Sequence, residues 1–205
     1  MENLKMYMSN TFGVKNMEEP SYFDSKYVIH TQLEKDLSTS EGEKTNVTYL
    51  KNVYSKGEKI FHSIFEKKDD IVVIINVETV RGRYSKLDMI RKFFRNINKY
   101  DMKYEKNKSN TFEDIDIHTF YLNVQKENIA DQYIISAICN QDFPPLIPKL
   151  KKRNVEGVNF LFVNKTKHTL LHIYDDRGAY ILTSNSEDYD YYTNLYRENL
   201  FIEEE

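Results

Sequence analysis

DDIVVIINVE, residues 69–78, decides the fold. Ile71–Ile75 is an unbroken apolar run behind two aspartates, and its β-branched side chains favour extended backbone. A strand exposed on one face alternates apolar with polar residues, whereas a strand without alternation is covered on both faces. The stretch therefore predicts a central strand with layers packed above and below it. The run is far shorter than the roughly 20 residues that a membrane-spanning helix needs.

Upstream, Lys26–Glu34 (KYVIHTQLE) alternates as a strand does, and Asp36–Thr45 is a polar loop. Val47, Leu50, Val53, Tyr54, Ile60, Phe61, Ile64 and Phe65 then recur at three- and four-residue spacing, which places them on one helical face. Downstream, Ser85 with Asp88 opens a second helix carrying Leu87, Ile90, Phe94 and Ile97, followed by a charged loop to about Asp116. His118–Gln125 predicts a further strand, and Asn128 caps a helix through Ile129, Tyr133, Ile134, Ala137 and Ile138 that the prolines after Asp142 terminate.

The last third predicts a meander of three strands, 159–164, 169–174 and 179–184, and a terminal helix opened by Ser184 and Glu187. That helix carries Tyr189, Tyr192, Leu195 and Tyr196 on its inner face. The order predicts an α/β or α+β fold: a mixed β-sheet with an antiparallel C-terminal meander and helices packed on it. Residues 1–25 form a short helix and an irregular connection ahead of a single domain spanning 26–205.

Lys plus Arg total 29 against 32 Asp plus Glu, a formal net charge of -3, so no global field draws the chain to nucleic acid or to an anionic membrane. The first ten residues lack the apolar core and small-residue cleavage site of a signal peptide, and the single cysteine forms no internal disulfide. Both point to the cytoplasm. The Asn-x-Ser/Thr matches at Asn46 and Asn164 are then incidental, and the abundance of Lys, Asn, Ile and Tyr points to an AT-rich bacterial source.

The candidate chemistry centres on HIYDDRGAYIL, residues 172–182. Asp at the start and Gly at the end of a short loop suit a turn closed by a left-handed residue, which predicts positive φ at Gly178. With Asp175 opposite Ala179, Tyr180 faces Tyr174 and Leu182 faces His172, putting these four on one face and Leu171, Ile173 and Ile181 on the other. His172, Tyr174, Asp175, Asp176 and Arg177 then form either a structural turn with a surface ion pair or a site for acid/base work or anion binding.

The histidines give no metal signature: His168 and His172 on one strand face lie roughly 13 Å apart, and His30, His62 and His118 are scattered. No metal and no cofactor is expected. Cys139 lies at a helix C-terminus, where the dipole disfavours a thiolate, so it is expected to be a small buried residue. Asn140, Gln141 and Asp142 are placed to satisfy the last helix carbonyls. The basic run Lys149–Arg153 lacks interleaved aromatics, and the glycines form no phosphate-binding loop.

Three stretches, residues 53–65, 137–149 and 170–182, together resemble the bacterial family known as domain of unknown function 3885. The Cys-Asn-Gln-Asp-Phe-Pro segment and the Tyr-Asp-Asp-Arg-Gly turn are its most specific parts, while Gly57 and the basic loop around Lys151 depart from it. The resemblance implies a bacterial, single-domain, cytosolic protein. It also implies that Asn140, Gln141, Asp142, Asp175, Asp176 and Arg177 belong to a family signature, without assigning them an activity.

Two functions follow as expectations. One is a non-catalytic protein-binding protein, such as an immunity protein neutralising a bacterial toxin, motivated by the tyrosine-rich composition, the acidic end Glu203–Glu205 and the failure of catalytic templates. The other is a small enzyme built from His172, Tyr174, Asp175, Asp176 and Arg177, with Asn140–Asp142 across a cleft. A deep pocket lined by those groups favours the second.

Overall fold

The computed structural model describes residues 2–22, 25–41, 44–81, 92–96, 102–143, 145–150 and 154–201. Strand β1 (Val28–Gln32) is followed by a two-strand hairpin, β2 (Ser40–Glu41) and β3 (Lys44–Thr45), inside the polar loop. Next come β4 (Ile71–Val80), β5 (Met102–Lys108), β6 (Ile115–Val124), β7 (Val155–Asn164), β8 (Thr169–Ile173) and β9 (Gly178–Thr183). The helices are α1 (Glu2–Phe12), α2 (Val47–Ile64), α3 (Asp131–Cys139) and α4 (Ser186–Tyr196).

Seven strands form one sheet in the order β1-β9-β8-β7-β4-β6-β5, and β4 is interior, paired with β6 and β7 along its length. The fold is α+β, and every strand pairing described is antiparallel, which corrects the expected mixed sheet. The physical reason lies in strand insertion. β1 and β4 run the same way, as a helix-linked pair should, but the meander β7-β8-β9 lies between them. Likewise β6 and β7, joined through α3, flank β4 on its two sides. The crossovers exist, but the strands they join never touch.

Both faces of β4 are covered, as its uninterrupted apolar run requires. Ile71, Val73, Ile75 and Val77 face α2, α3 and the tyrosines of α4, while Val72 and Ile74 face α1 and the connection after it. Each fully buried side chain of this kind contributes about 1.5–3 kcal/mol. Asn76 ties the second layer down: its amide donates to the Met17 carbonyl at 2.6 Å and its oxygen accepts from Thr119 at 2.9 Å. The two Asn-x-Ser/Thr matches have structural jobs as well. Asn46 caps α2, accepting from the Thr48 and Tyr49 N–H groups. Asn164 is buried, donating to the Ile64 carbonyl and to Asp69 while accepting from Thr166 and Lys167.

Several expectations shift. β5 replaces part of the charged loop: its sequence, MKYEKNK, is that of an exposed edge strand, where charge blunts edge pairing and hides the alternation. The helix from Ser85 to Ile97 lies for the most part outside the described residues, and Phe94 pairs through an isolated bridge with Ile129. That pairing, with the Ala130 N–H donating to the Phe93 carbonyl, commits the backbone of 129–130 elsewhere, so α3 starts at Asp131 and Asn128 is not its cap. Asn185, not Ser184, caps α4 by accepting from the Asp188 N–H. Val47 and Leu195 are exposed rather than inward. No helix among the described residues is long and apolar enough to cross a membrane.

Candidate functional site

The hairpin β8–β9 is real, with its register two residues from the expected one: His172 pairs with Tyr180 and Leu170 with Leu182. A two-residue shift preserves strand faces. Leu171, Ile173 and Ile181 accordingly pack under the helices, and Tyr180 and Leu182 turn to the second face. The turn is longer than the anticipated one because Tyr174 already leaves the ladder, donating its N–H to the Gly178 carbonyl at 3.3 Å.

Gly178 does not take positive φ, which corrects the turn argument; it is the first residue of β9. Its need for glycine is steric. A Cβ there would press on the Tyr174 hydroxyl and stand 2.8 Å from the Thr31 carbonyl oxygen and 3.0 Å from the Phe201 ring.

Asp175 organises the turn, as its side chain accepts from the Arg177 N–H and from the Arg177 Nε, both at 2.8 Å, and also from Nη2. Asp175 is buried while the Arg177 side chain is 69 % exposed. Arg177 is therefore held by its own turn and is not the uncommitted residue that turn chemistry alone suggests. The pairing with Asp175 raises the guanidinium pKa further. Arg177→Ala is expected to cost about 1–2 kcal/mol in denaturant unfolding, because buried Asp175 loses its cation but keeps the backbone N–H. Solvent around Arg177 keeps the figure below that of a fully buried pair.

Asp176 points into the helix side. Its Oδ2 accepts from the Tyr49 hydroxyl at 2.7 Å, and burial, with the neighbouring Asp175 charge, raises its pKa. The segment Asn140–Asp142 does meet the turn, as packing rather than across a cleft. Buried Asn140 accepts from Tyr54 and donates to the Pro148 carbonyl at 2.9 Å, and Gln141 donates to the Tyr174 carbonyl at 3.4 Å. Carboxylate oxygens of Asp142, Asp175 and Asp176 lie within 4.8 Å of one another. Of the three, Asp175 is committed to Arg177 and Asp176 to Tyr49 of α2, while Asp142 is exposed. Cys139 is fully buried, and burial pushes its thiol pKa well up, which disfavours the thiolate there.

The His172 and Tyr174 side chains find their hydrogen-bond partners on the second face. His172 Nδ1 and the Tyr22 hydroxyl are hydrogen-bonded at 2.7 Å, and burial pushes the imidazole pKa down to about 4, against a smaller opposing effect of Asp175. Tyr174 bonds His30 Nε2 at 2.9 Å, and the His30 ring stacks between Tyr180 (4.2 Å) and Phe201 (3.8 Å). Two clefts flank this stack. One, about 490 Å³, opens beside Arg177, Tyr49, Tyr174 and Lys35; the other, about 740 Å³, is lined by His172, Tyr22, Tyr189 and Thr193. Sequence reasoning misses Tyr22, His30, Tyr49, Thr193 and Phe201. His30 alternates onto this face of β1, but nothing in the sequence sets β1 beside β9.

The family model described as "Domain of unknown function (DUF3885)" matches residues 4–201. The chain is also similar to the uncharacterized protein YnaE of Bacillus subtilis (strain 168), 26 % identical over an alignment of 151 residues that covers 68 % of this chain and 69 % of that protein. No solved structure gives a significant match.

Proposed function

The chain belongs to the domain-of-unknown-function family DUF3885, a description that carries no activity, and from the geometry we propose a non-catalytic, cytoplasmic protein-binding protein that docks its partner through Arg177. One observation carries this: an exposed guanidinium, fixed by Asp175 through Nε and Nη2, stands at the mouth of a cleft framed by Tyr49, Tyr174, Tyr180, His30 and Phe201. The Arg177 Cζ lies 6.0 Å from the Tyr174 ring centroid. Arginine among tyrosines is the composition of interface hot spots, and a cation already held in place loses little freedom when bound. The chemistry it recognises is a carboxylate on the partner. A toxin neutralised by an immunity protein is the instance proposed.

The enzyme reading draws support from the two clefts, since His172, Tyr174 and Arg177 line them. It is weakened by what those groups do. His172 is a buried neutral imidazole bonded to a phenol, both turn aspartates are engaged, and the one cysteine is sealed. No described group there combines a nucleophile with a base. Mixing the purified chain with the product of the gene immediately upstream tests the proposal. Co-elution as a stable 1:1 complex with Kd at or below about 1 µM is expected; separate elution at tens of micromolar of each contradicts it.

A further inference from the structure

Among the described residues, two buried side-chain polar atoms have no hydrogen-bond partner: His172 Nε2 and Thr193 Oγ1. Folded proteins leave few such atoms, and each calls for a cause. His172 comes from β8 and Thr193 from α4, yet both line the same cavity of about 740 Å³ at the β1 edge. We propose that this cavity is a binding site for a small uncharged aromatic molecule bearing a hydroxyl or amide, separate in chemistry from the Arg177 surface.

The lining sets the ligand class. Among the described residues, no Asp, Glu, Lys or Arg lines the cavity, so a charged ligand would be desolvated against them without a counter-ion. Rings of Tyr22, His30, Tyr180, Tyr189 and Phe201 supply stacking faces, and the volume falls within the range of small-molecule sites. With Nδ1 committed to Tyr22, Nε2 keeps one unmet bond in either tautomer, as donor or as acceptor. A hydroxyl or amide satisfies both cases, and the Thr193 hydroxyl offers a second point of attachment.

Both orphan atoms are buried, so a ligand that bonds them requires a shift of the groups that cover them. Phe201 lines the cavity. This residue follows the last short helical turn, its N–H donates to the His30 carbonyl at 3.0 Å, and its ring is only partly buried over His30.

The test is a titration of the full chain with 1-naphthol, followed through the imidazole 15N resonances. A saturable shift at His172 Nε2 with Kd of about 1 mM or tighter is expected. 1-Naphthoate, of similar shape but charged, should bind at least about tenfold more weakly. Thr193→Val, which removes only the hydroxyl, should weaken naphthol binding at least roughly threefold. Val28→Trp, filling the cavity, should abolish it, with a thermal melt reporting whether that variant folds. No saturable shift up to the solubility of naphthol, equal binding of naphthoate, or undiminished affinity in both Thr193→Val and a folded Val28→Trp would each overturn the proposal. Any of these outcomes leaves the Arg177 surface to be judged by its own test.

Discussion

Gly178→Val is expected to destabilise the protein by about 3 kcal/mol, at the upper end of overpacking costs. The clash begins at Cβ itself, so no rotamer relieves it. The Thr31 carbonyl oxygen, 2.8 Å from that position, belongs to backbone in the ladder of β1 with β9 and moves only if the strands part. The Tyr174 hydroxyl belongs to a side chain anchored by His30. Gly178→Ala should therefore be destabilising too, and Tyr174→Phe in the Ala background should recover part of the loss by removing one of the two oxygens. Urea unfolding of the four proteins checks this. Wild-type stability of Gly178→Val would remove the steric account of this glycine.

Acidification should weaken the fold between about pH 6.5 and pH 4. His172 has an ordinary imidazole pKa of 6.5 when the chain is unfolded and about 4 when folded, because burial disfavours the imidazolium. The unfolded state thus binds a proton that the folded state refuses. The contribution is complete above the unfolded pKa and is lost as pH falls toward the folded one; integrated, it amounts to about 3 kcal/mol. His118, whose pKa is also lowered by burial and by Lys106, adds in the same direction. Asp176, with its raised pKa, acts oppositely by gaining a proton more readily when folded. His172→Gln keeps a side chain able to bond Tyr22 and does not titrate, so its stability should fall much less over this interval. An unchanged slope in that variant would mean that the imidazole is more hydrated than its burial indicates.

The elements legible in the sequence are those whose periodicity reflects packing. The run 71–75 reads as a central strand because both layers press on it, and α2 reads as a helix because one face meets the sheet. The hairpin faces are equally legible, since period two survives a register error of two residues. What stays hidden depends on long-range pairing. β5 has the charge of an edge strand and no apolar pattern, and the antiparallel sheet follows from where the meander inserts, which no local spacing encodes. The same limit applies to the site. Asp175 and Arg177 are two residues apart, so their pairing is within local reach. The partners of Asp176 and His172, Tyr49 and Tyr22, are 127 and 150 residues distant. Those distant partners tie Asp176 to the helix side and His172 to the second face, while Arg177 lines a cleft with residues of both.

The most direct measurement is calorimetric titration of the upstream gene product into wild-type protein and into Arg177→Ala. The modest stability cost of that variant leaves it folded, so any change in affinity reports on the guanidinium. Loss of about 2 kcal/mol of binding energy, roughly 30-fold in Kd, is the expected result. A complex that forms with equal affinity in both proteins would contradict docking through Arg177.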